Sequence, residues 1–384
     1  VYTMGRLGYD GYEKNIIELL EHEDRSVRMR SAEALGRLGS KGAINELYTL
    51  AGDEDRMTAL KAADALVRIG DKKCSRALEE LLGADDNYMK TIALEGLASI
   101  GRKQSYDVVV PLLQSGSLMV RLAALEAAGS TGGSDAREHL LSAYHNGNPP
   151  ERMAALKGLG FASDKQDLDL LCSVLTREDD PLAREGAAAG LGTWKKDKEL
   201  FQSQGNGKKP VDALLAAGRG EDWVVASIAI ESLGRIGSEE TMNDLMTLYP
   251  KEGNRTDSDR KIAVLQAMQT LGKRKPVQKE AVPPLLSFLS DASRDPDPRV
   301  GETARATAAL YGGSLKPQPN GSWARGGLPW RDPALPMGER RIRIETKRGD
   351  IDIVLYGDDA PNIVKSVITL AGRGFYDGLT FHRV

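Results

Sequence analysis

Three adjacent side chains near the end of the chain, Phe381, His382 and Arg383, set an aromatic ring, an imidazole and a guanidinium side by side. An arginine is a fixed hydrogen-bond donor and not a nucleophile. Whatever reaction this trio serves must therefore work by polarising a group and holding it. Taken alone, Arg383 would read as a solvated arginine on an edge strand. The other three histidines, His22, His139 and His145, lie in helical segments without metal-ligand spacing, which predicts surface or helix-end positions and no metal site. Cys74 and Cys172 lie far apart, so they read as small buried core residues and not as a disulfide. No residue pattern calls for a cofactor.

These side chains must be positioned by 384 residues, too many for one ordinary compact domain. Hydrophobic residues make up 41%, charged residues 28% and aromatics only 5%, a balance that suits thin helical layers packed through small and aliphatic side chains. The net charge is −3, and Lys and Arg are scattered along the sequence without a basic block, which argues against nucleic-acid binding. No apolar run approaches the length of a transmembrane span.

Self-similarity organises most of the chain. Ala34-Leu35-Gly36-Arg37-Leu38-Gly39 returns as Ala65-Leu66-Val67-Arg68-Ile69-Gly70, as Gly96-Leu97-Ala98-Ser99-Ile100-Gly101 and, later, as Ser232-Leu233-Gly234-Arg235-Ile236-Gly237. The buried aliphatic of each phrase falls at Met4, Leu35, Leu66, Leu97, Ala128, Leu159, Leu191, Leu233, Met268 and Ala308. The first five intervals are each 31 residues; the last three lengthen, which predicts insertions in loops. Each period reads as two amphipathic helices. Ile16, Ile17, Leu19 and Leu20 mark the first, an Asp24-Arg25-Ser26 corner follows with Asp24 or Ser26 as its cap, and the second runs from Val27 to Leu38. Gly39 is placed to end it in the left-handed conformation.

The recurring corner and phrase resemble the HEAT family, particularly its short bacterial form with a period near 31, over about residues 1–313. The resemblance implies an all-α solenoid of about nine helix-pair repeats whose concave surface binds an as yet unknown protein partner. Met4-Gly5-Arg6-Leu7-Gly8 matches the end of a second helix that lacks its first, so the chain is expected to begin inside a repeat.

Residues 314–339 change character. Pro317, Pro319, Pro329, Pro333 and Pro336, with several glycines, predict an extended linker. Trp323 and Trp330 within it read as residues that pack on a flanking domain, with partner binding as the alternative.

From Arg340 the period switches to that of a strand. Ile342 and Ile344 alternate with charged residues, Lys347-Arg348-Gly349-Asp350 turns, and Ile351, Ile353 and Leu355 alternate again, predicting a hairpin with one buried face. Pro361 suits the first turn of a helix, with Ile363, Val364, Val367, Ile368 and Ala371 as its apolar stripe. Phe375-Tyr376-Asp377-Gly378 then turns into a strand from Leu379 to Val384.

The pieces Thr346-x-x-Gly349-x-Ile351-x-Ile353-x-Leu355, Asp359-Ala360-Pro361 and Gly374-Phe375-Tyr376-Asp377-Gly378-Leu379-Thr380-Phe381-His382-Arg383-Val384 resemble, in order and wording, the start of the cyclophilin-type prolyl isomerases. Ser366-Val367 departs from the Asn-Phe usual there, which should alter packing more than chemistry. The resemblance implies that residues 340–384 are the first hairpin, helix and strand of a cyclophilin-like β-barrel. It also implies a peptidyl-prolyl cis-trans isomerase acting on polypeptides with X-Pro bonds. Arg383 would then be the donor to the prolyl nitrogen, and Phe381 and His382 would shape the substrate groove. The rest of that groove would lie beyond Val384, so these 384 residues alone are not expected to catalyse.

Two readings of the whole follow. In one, a prolyl isomerase uses its solenoid to recruit polypeptides; in the other, the solenoid is the working part and the isomerase segment is vestigial. A third resemblance, to the HEAT-like repeats of phycobilin lyases, implies tetrapyrrole attachment, but nothing in the chain marks a chromophore site. For localisation, folding work in a bacterial envelope or periplasm fits before the cytoplasm.

Overall fold

The corner residues decide where each helix pair turns. In the first pair, short 3-10 turns at Asp10–Tyr12 and Leu19–Glu21 flank the helix Glu13–Glu18. The second helix, α1, spans Arg25–Leu38. Asp24 sits before it in an extended conformation, and its carboxylate accepts from the Ser26 amide at 2.8 Å. This satisfies one of the amides that a helix start leaves without a partner. Asp24 is therefore the cap, not Ser26, and the helix starts two residues before Val27. Gly39 closes it in the left-handed conformation at φ 66°, as do Gly70 and Gly101 in the next two pairs.

The same device recurs along the chain. The second helices that follow are α2 (Arg56–Ile69), α3 (Asn87–Ile100), α4 (Leu118–Gly132), α5 (Pro149–Ala162) and α6 (Pro181–Thr193), then α7 (Trp223–Ile236), α8 (Arg255–Arg274) and α9 (Pro298–Leu310). Asp55, Asp86, Asp180, Asp222 and Asp297 each cap one of them through a side-chain carboxylate. Asn148 does so in a reciprocal capping box with Glu151. The first helices of these pairs begin with Ile44–Leu50 and Cys74–Leu81 and end with Glu240–Leu248 and Val282–Ala292. Among the described residues the array holds nine such pairs. The computed structural model describes residues 10–194, 209–237, 240–250, 255–274, 282–316, 339–346, 349–356, 361–372, 374, 376 and 377.

Each second helix packs on the next, from α1 against α2 to α8 against α9. The nine described anchor residues, Leu35, Leu66, Leu97, Ala128, Leu159, Leu191, Leu233, Met268 and Ala308, are all 0% exposed. Met4 lies outside the described residues. Glycine sets the spacing in the middle of the array. A Cβ on Gly129 would collide with the carbonyl oxygen of Gly158, and one on Gly160 with that of Gly190, so backbone lies directly against backbone.

The lengthening of the later intervals is only partly a matter of loops. Residues 195–208, 251–254 and 275–281 fall within them and lie outside the described residues. However, α8 has 20 residues where α1 has 14, so some of the added length is helix.

The array's interior holds a few ion pairs. Arg28 donates to both oxygens of Asp53, Arg137 to those of Asp167, and Lys261 to Asp295 at 2.7 Å. Burial pushes the Asp167 carboxyl up against the opposing pull of Arg137. Removing one partner would strand a charge, so these pairs constrain register more than they stabilise. Cys74 and Cys172 are both buried, and no disulfide joins them.

The chain divides into two units, residues 1–316 and 317–384. In the first, Leu315 still packs on the core of the array. In the second, β1 (Glu339–Ile344) pairs antiparallel with β2 (Ile351–Tyr356). Ile342 faces Ile353, and Ile344 faces Ile351. A helix, α10 (Pro361–Ala371), packs on β2. Most of the linker, with Trp323 and Trp330, lies outside the described residues.

Candidate functional site

The hairpin turn is built by two residues of the recurring wording. The Thr346 hydroxyl donates to the Gly349 carbonyl at 2.7 Å, and the Gly349 amide returns to the Thr346 carbonyl at 3.2 Å. Gly349 sits at φ 124°, a backbone state that side chains disfavour. The strands are pinned further along, where Arg343 donates through two nitrogens to Asp352, its direct partner in the ladder, at 2.8 and 3.0 Å. That bond raises the Arg343 guanidinium above its ordinary value. The pair is exposed, so it orients the strands more than it stabilises them.

One face of the hairpin carries Ile342, Ile344, Ile353 and Leu355, all half-buried. Val364 of α10 is 3% exposed and is the most fully enclosed of the described residues in this unit. Ile351, expected on the buried face, is 46% exposed, and Ala371 at the end of α10 is exposed too. Both sit at element ends, where neighbouring backbone no longer covers them. Pro361 opens α10, where its missing amide costs nothing. Beyond the helix, Gly374 at φ 65° starts a turn closed by the Asp377 amide on the Gly374 carbonyl, and Tyr376 projects from it, 41% exposed. Phe381, His382 and Arg383 come directly after this turn in sequence and lie outside the described residues.

Elsewhere the histidines behave as single polar side chains. His22 accepts from the Asp24 amide at 3.0 Å, His139 lies 3.4 Å from the Tyr106 hydroxyl, and His145 packs on the Tyr144 ring. Among the described residues no cluster of His, Cys, Asp or Glu could hold a metal ion. Nor is any described helix long and apolar enough to cross a membrane.

The array also exposes an apolar file that its period predicts but a linear reading misses. Met57, Tyr88 and Met119 occupy the second position of α2, α3 and α4, 31 residues apart, and each is about half exposed.

The model of HEAT repeats matches residues 13–98, 75–160 and 168–269, well over half of the chain. This protein belongs to the HEAT-repeat family. At the other end of the HEAT-repeat chain, the model of the cyclophilin type peptidyl-prolyl cis-trans isomerases matches residues 341–384. The chain is 51% identical over 41 residues to a peptidyl-prolyl cis-trans isomerase of Synechococcus elongatus, covering 11% of this chain and 28% of that protein. It is 47% identical over 49 residues to a peptidyl-prolyl cis-trans isomerase-like 1 of Rhizopus delemar, covering 12% and 30%. A putative isomerase of Staphylococcus aureus gives 42% over 48 residues, covering 12% and 24%. The chain thus spans less than a third of the length of these curated relatives.

Among solved structures, the phycocyanin lyase complex of Nostoc sp. PCC7120 shares 20% identity at a TM-score of 0.46, over 67% of this chain and 94% of that one. Human deoxyhypusine hydroxylase shares 17% at 0.34, over 81% and 99%.

Proposed function

We propose that the HEAT-repeat chain carries the opening part of a peptidyl-prolyl cis-trans isomerase, and that its solenoid is a scaffold that brings polypeptides with X-Pro bonds to it. The observation that carries this reading is the isomerase-family match over residues 341–384, which ends on Phe381-His382-Arg383. The hairpin and α10, in the order that family begins with, support it.

The chemistry asks little of the protein. Resonance gives the imide C–N bond partial double-bond character, and rotation about X-Pro takes tens to hundreds of seconds unaided. No bond to nitrogen breaks, so no nucleophile and no cofactor is needed. A donor aimed at the prolyl nitrogen draws its lone pair out of resonance as the imide twists, and such a preorganised donor acts most strongly where water is excluded. Arg383 is that donor, with a charge that does not titrate away at physiological pH. Phe381 supplies an apolar wall and His382 a polar edge to hold the proline ring.

The matched residues are less than a third of the isomerases they resemble, so catalysis requires the remainder of such a domain. The test is a protease-coupled isomerisation assay on a chromogenic X-Pro peptide, run on a chain continued through a complete isomerase domain. Arg383→Ala should lower kcat/KM by about 100-fold or more, the loss usual for one preorganised donor. Residues 1–384 alone should leave the rate at background. An Arg383→Ala protein with undiminished rate would overturn the assignment and leave the solenoid as a non-catalytic scaffold.

A further inference from the structure

Cations that are scattered along the sequence meet on one edge of the HEAT array. The turns between successive pairs read Ser40-Lys41-Gly42, Asp71-Lys72-Lys73 and Arg102-Lys103-Gln104, so Lys41, Lys72 and Lys103 recur 31 residues apart. Ion pairs link the first turn to the second, Lys41 to Asp71 at 2.8 Å, and the third to the fourth, Lys103 to Asp135 at 3.1 Å. Between the second and third turns lies an open cleft of about 510 Å³ lined by Lys72, Lys73, Arg102, Lys103, Gln104 and Ile100. Four of its lining residues are cationic and none is acidic.

The nearest carboxylates are already engaged. Asp71 takes the Lys41 ammonium and the Lys73 amide, while Glu79 accepts from the Ser105 hydroxyl at 2.5 Å and stands 4.0 Å from Arg102. Lys72 and Lys73 make no ion pair among the described residues. Asp55 and Asp86 lie at the other ends of the second helices, where they cap α2 and α3. A 14-residue helix is about 21 Å long, more than twice the screening length of about 8 Å at physiological salt. These capping carboxylates therefore do not neutralise the cations of the cleft.

We infer that this cleft binds an acidic stretch of polypeptide in polyproline II form. Neighbouring helices pack about 8–10 Å apart, and a polyproline II chain advances about 3.1 Å per residue with about three residues per turn, so acids three residues apart share one face and reach adjacent turns. Ile100 gives their aliphatic stems an apolar floor, and Gln104 can bond the peptide backbone. A nucleic acid fits less well, because its phosphates need a long basic track. Here the row stops at the fourth turn, Gly133-Ser134-Asp135, which carries no cation.

The site can be tested without any isomerase readout, so its failure is distinct from failure of the proposed function. Fluorescence anisotropy would follow a short labelled peptide with glutamate at every third position, titrated with the 384-residue chain. Binding should weaken steeply as salt rises. The double variant Lys72→Glu, Lys103→Glu should weaken it about tenfold or more, since each reversal turns an attraction into a repulsion. Arg294→Glu, in the last described pair, should leave it unchanged. All these substitutions are on exposed side chains, and circular dichroism would confirm that each variant folds. Peptide binding that the double variant does not reduce overturns the proposal. So does tighter binding of a single-stranded oligonucleotide than of the peptide.

Discussion

The HEAT array and the C-terminal hairpin unit hold their residues in place by different means. In the array every position is built many times over. A capping carboxylate and a fully buried anchor recur through most of the array, a left-handed glycine closes α1, α2 and α3, and each inner helix layer is covered on both sides by its neighbours. The hairpin unit is built once. Its apolar face is half-buried, Val364 alone among its described residues approaches full enclosure, and what is distinctive about it is the wording of one short run of residues. Repetition makes a fold robust while leaving any single repeat uninformative about function. A unit built once concentrates its chemistry in a few side chains.

Matched truncations in the two units give the largest expected contrast. Leu97→Ala in α3 removes a 0% exposed side chain from between two helix layers and should cost about 2–5 kcal/mol by chemical denaturation. Val364→Ala removes less from a thinner shell and should cost about 1.5 kcal/mol, two carbons on the scale of about 0.8 kcal/mol per buried methylene. Hydrogen exchange of the amides around each site would read the two effects separately. Equal losses at the two sites would mean that the hairpin unit is as tightly enclosed as the array.

A second contrast lies within the array, between glycines that touch backbone and one that does not. Gly160→Ala drives a methyl into the Gly190 backbone, which cannot rotate away, and should cost about 1–3 kcal/mol through overpacking. A Cβ on Gly116 meets nothing within 4 Å, so Gly116→Ala should change stability by no more than about 0.5 kcal/mol. Thermal unfolding of both variants checks this, and a neutral Gly160→Ala would show that α5 and α6 can part at little cost.

These contrasts follow what was legible in the sequence. The anchors at Leu35, Leu66 and Leu97 could be read because a 31-residue period repeats the same demand for burial, and the fold meets that demand at every described copy. The start of α1 was less legible. Asp24 and Ser26 are both good caps at one corner, and only the geometry of the Asp24 carboxylate on the Ser26 amide decides between them. The longer α8 was missed because added residues look the same whether they extend a helix or a loop. The basic edge was hidden for a different reason. Lys41, Lys72 and Lys103 are isolated in the chain, and only the solenoid places turns 31 residues apart next to one another. Phe381, His382 and Arg383 are singled out by residue type and neighbours alone, and they lie outside the described residues. Ile351 and Ala371 were misjudged because alternation predicts a face but not where cover ends.

The smallest effect expected is at a single cap, and pH separates its parts. The Asp86 carboxylate accepts from the Tyr88 and Met89 amides and pairs with Arg56 at 2.5 Å. Chiefly through Arg56, then through those amides, its carboxyl is held below the usual carboxylate range. A depressed folded-state value means that the unfolded chain binds the proton more readily. The stabilisation is therefore fully present above the unfolded value of about 3.9 and is lost as pH falls through the lower folded value. Asp86→Ala should cost about 1 kcal/mol at pH 7, the usual worth of a cap. That deficit should shrink as pH falls below about 4, and it should vanish below the lower folded value, where the folded parent has lost the same charge. Asp86→Asn keeps an acceptor for the Tyr88 amide and gives up only the ionised pair with Arg56, which is worth little at an exposed site. It should stay close to the parent at pH 7 and lose this part of the acid dependence. If instead Asp86→Asn falls as far as Asp86→Ala at neutral pH, the ion pair and not the cap holds this corner. The ladder of arginines and capping aspartates, Arg25 to Asp55 and Arg56 to Asp86, would then be what ties one repeat to the next.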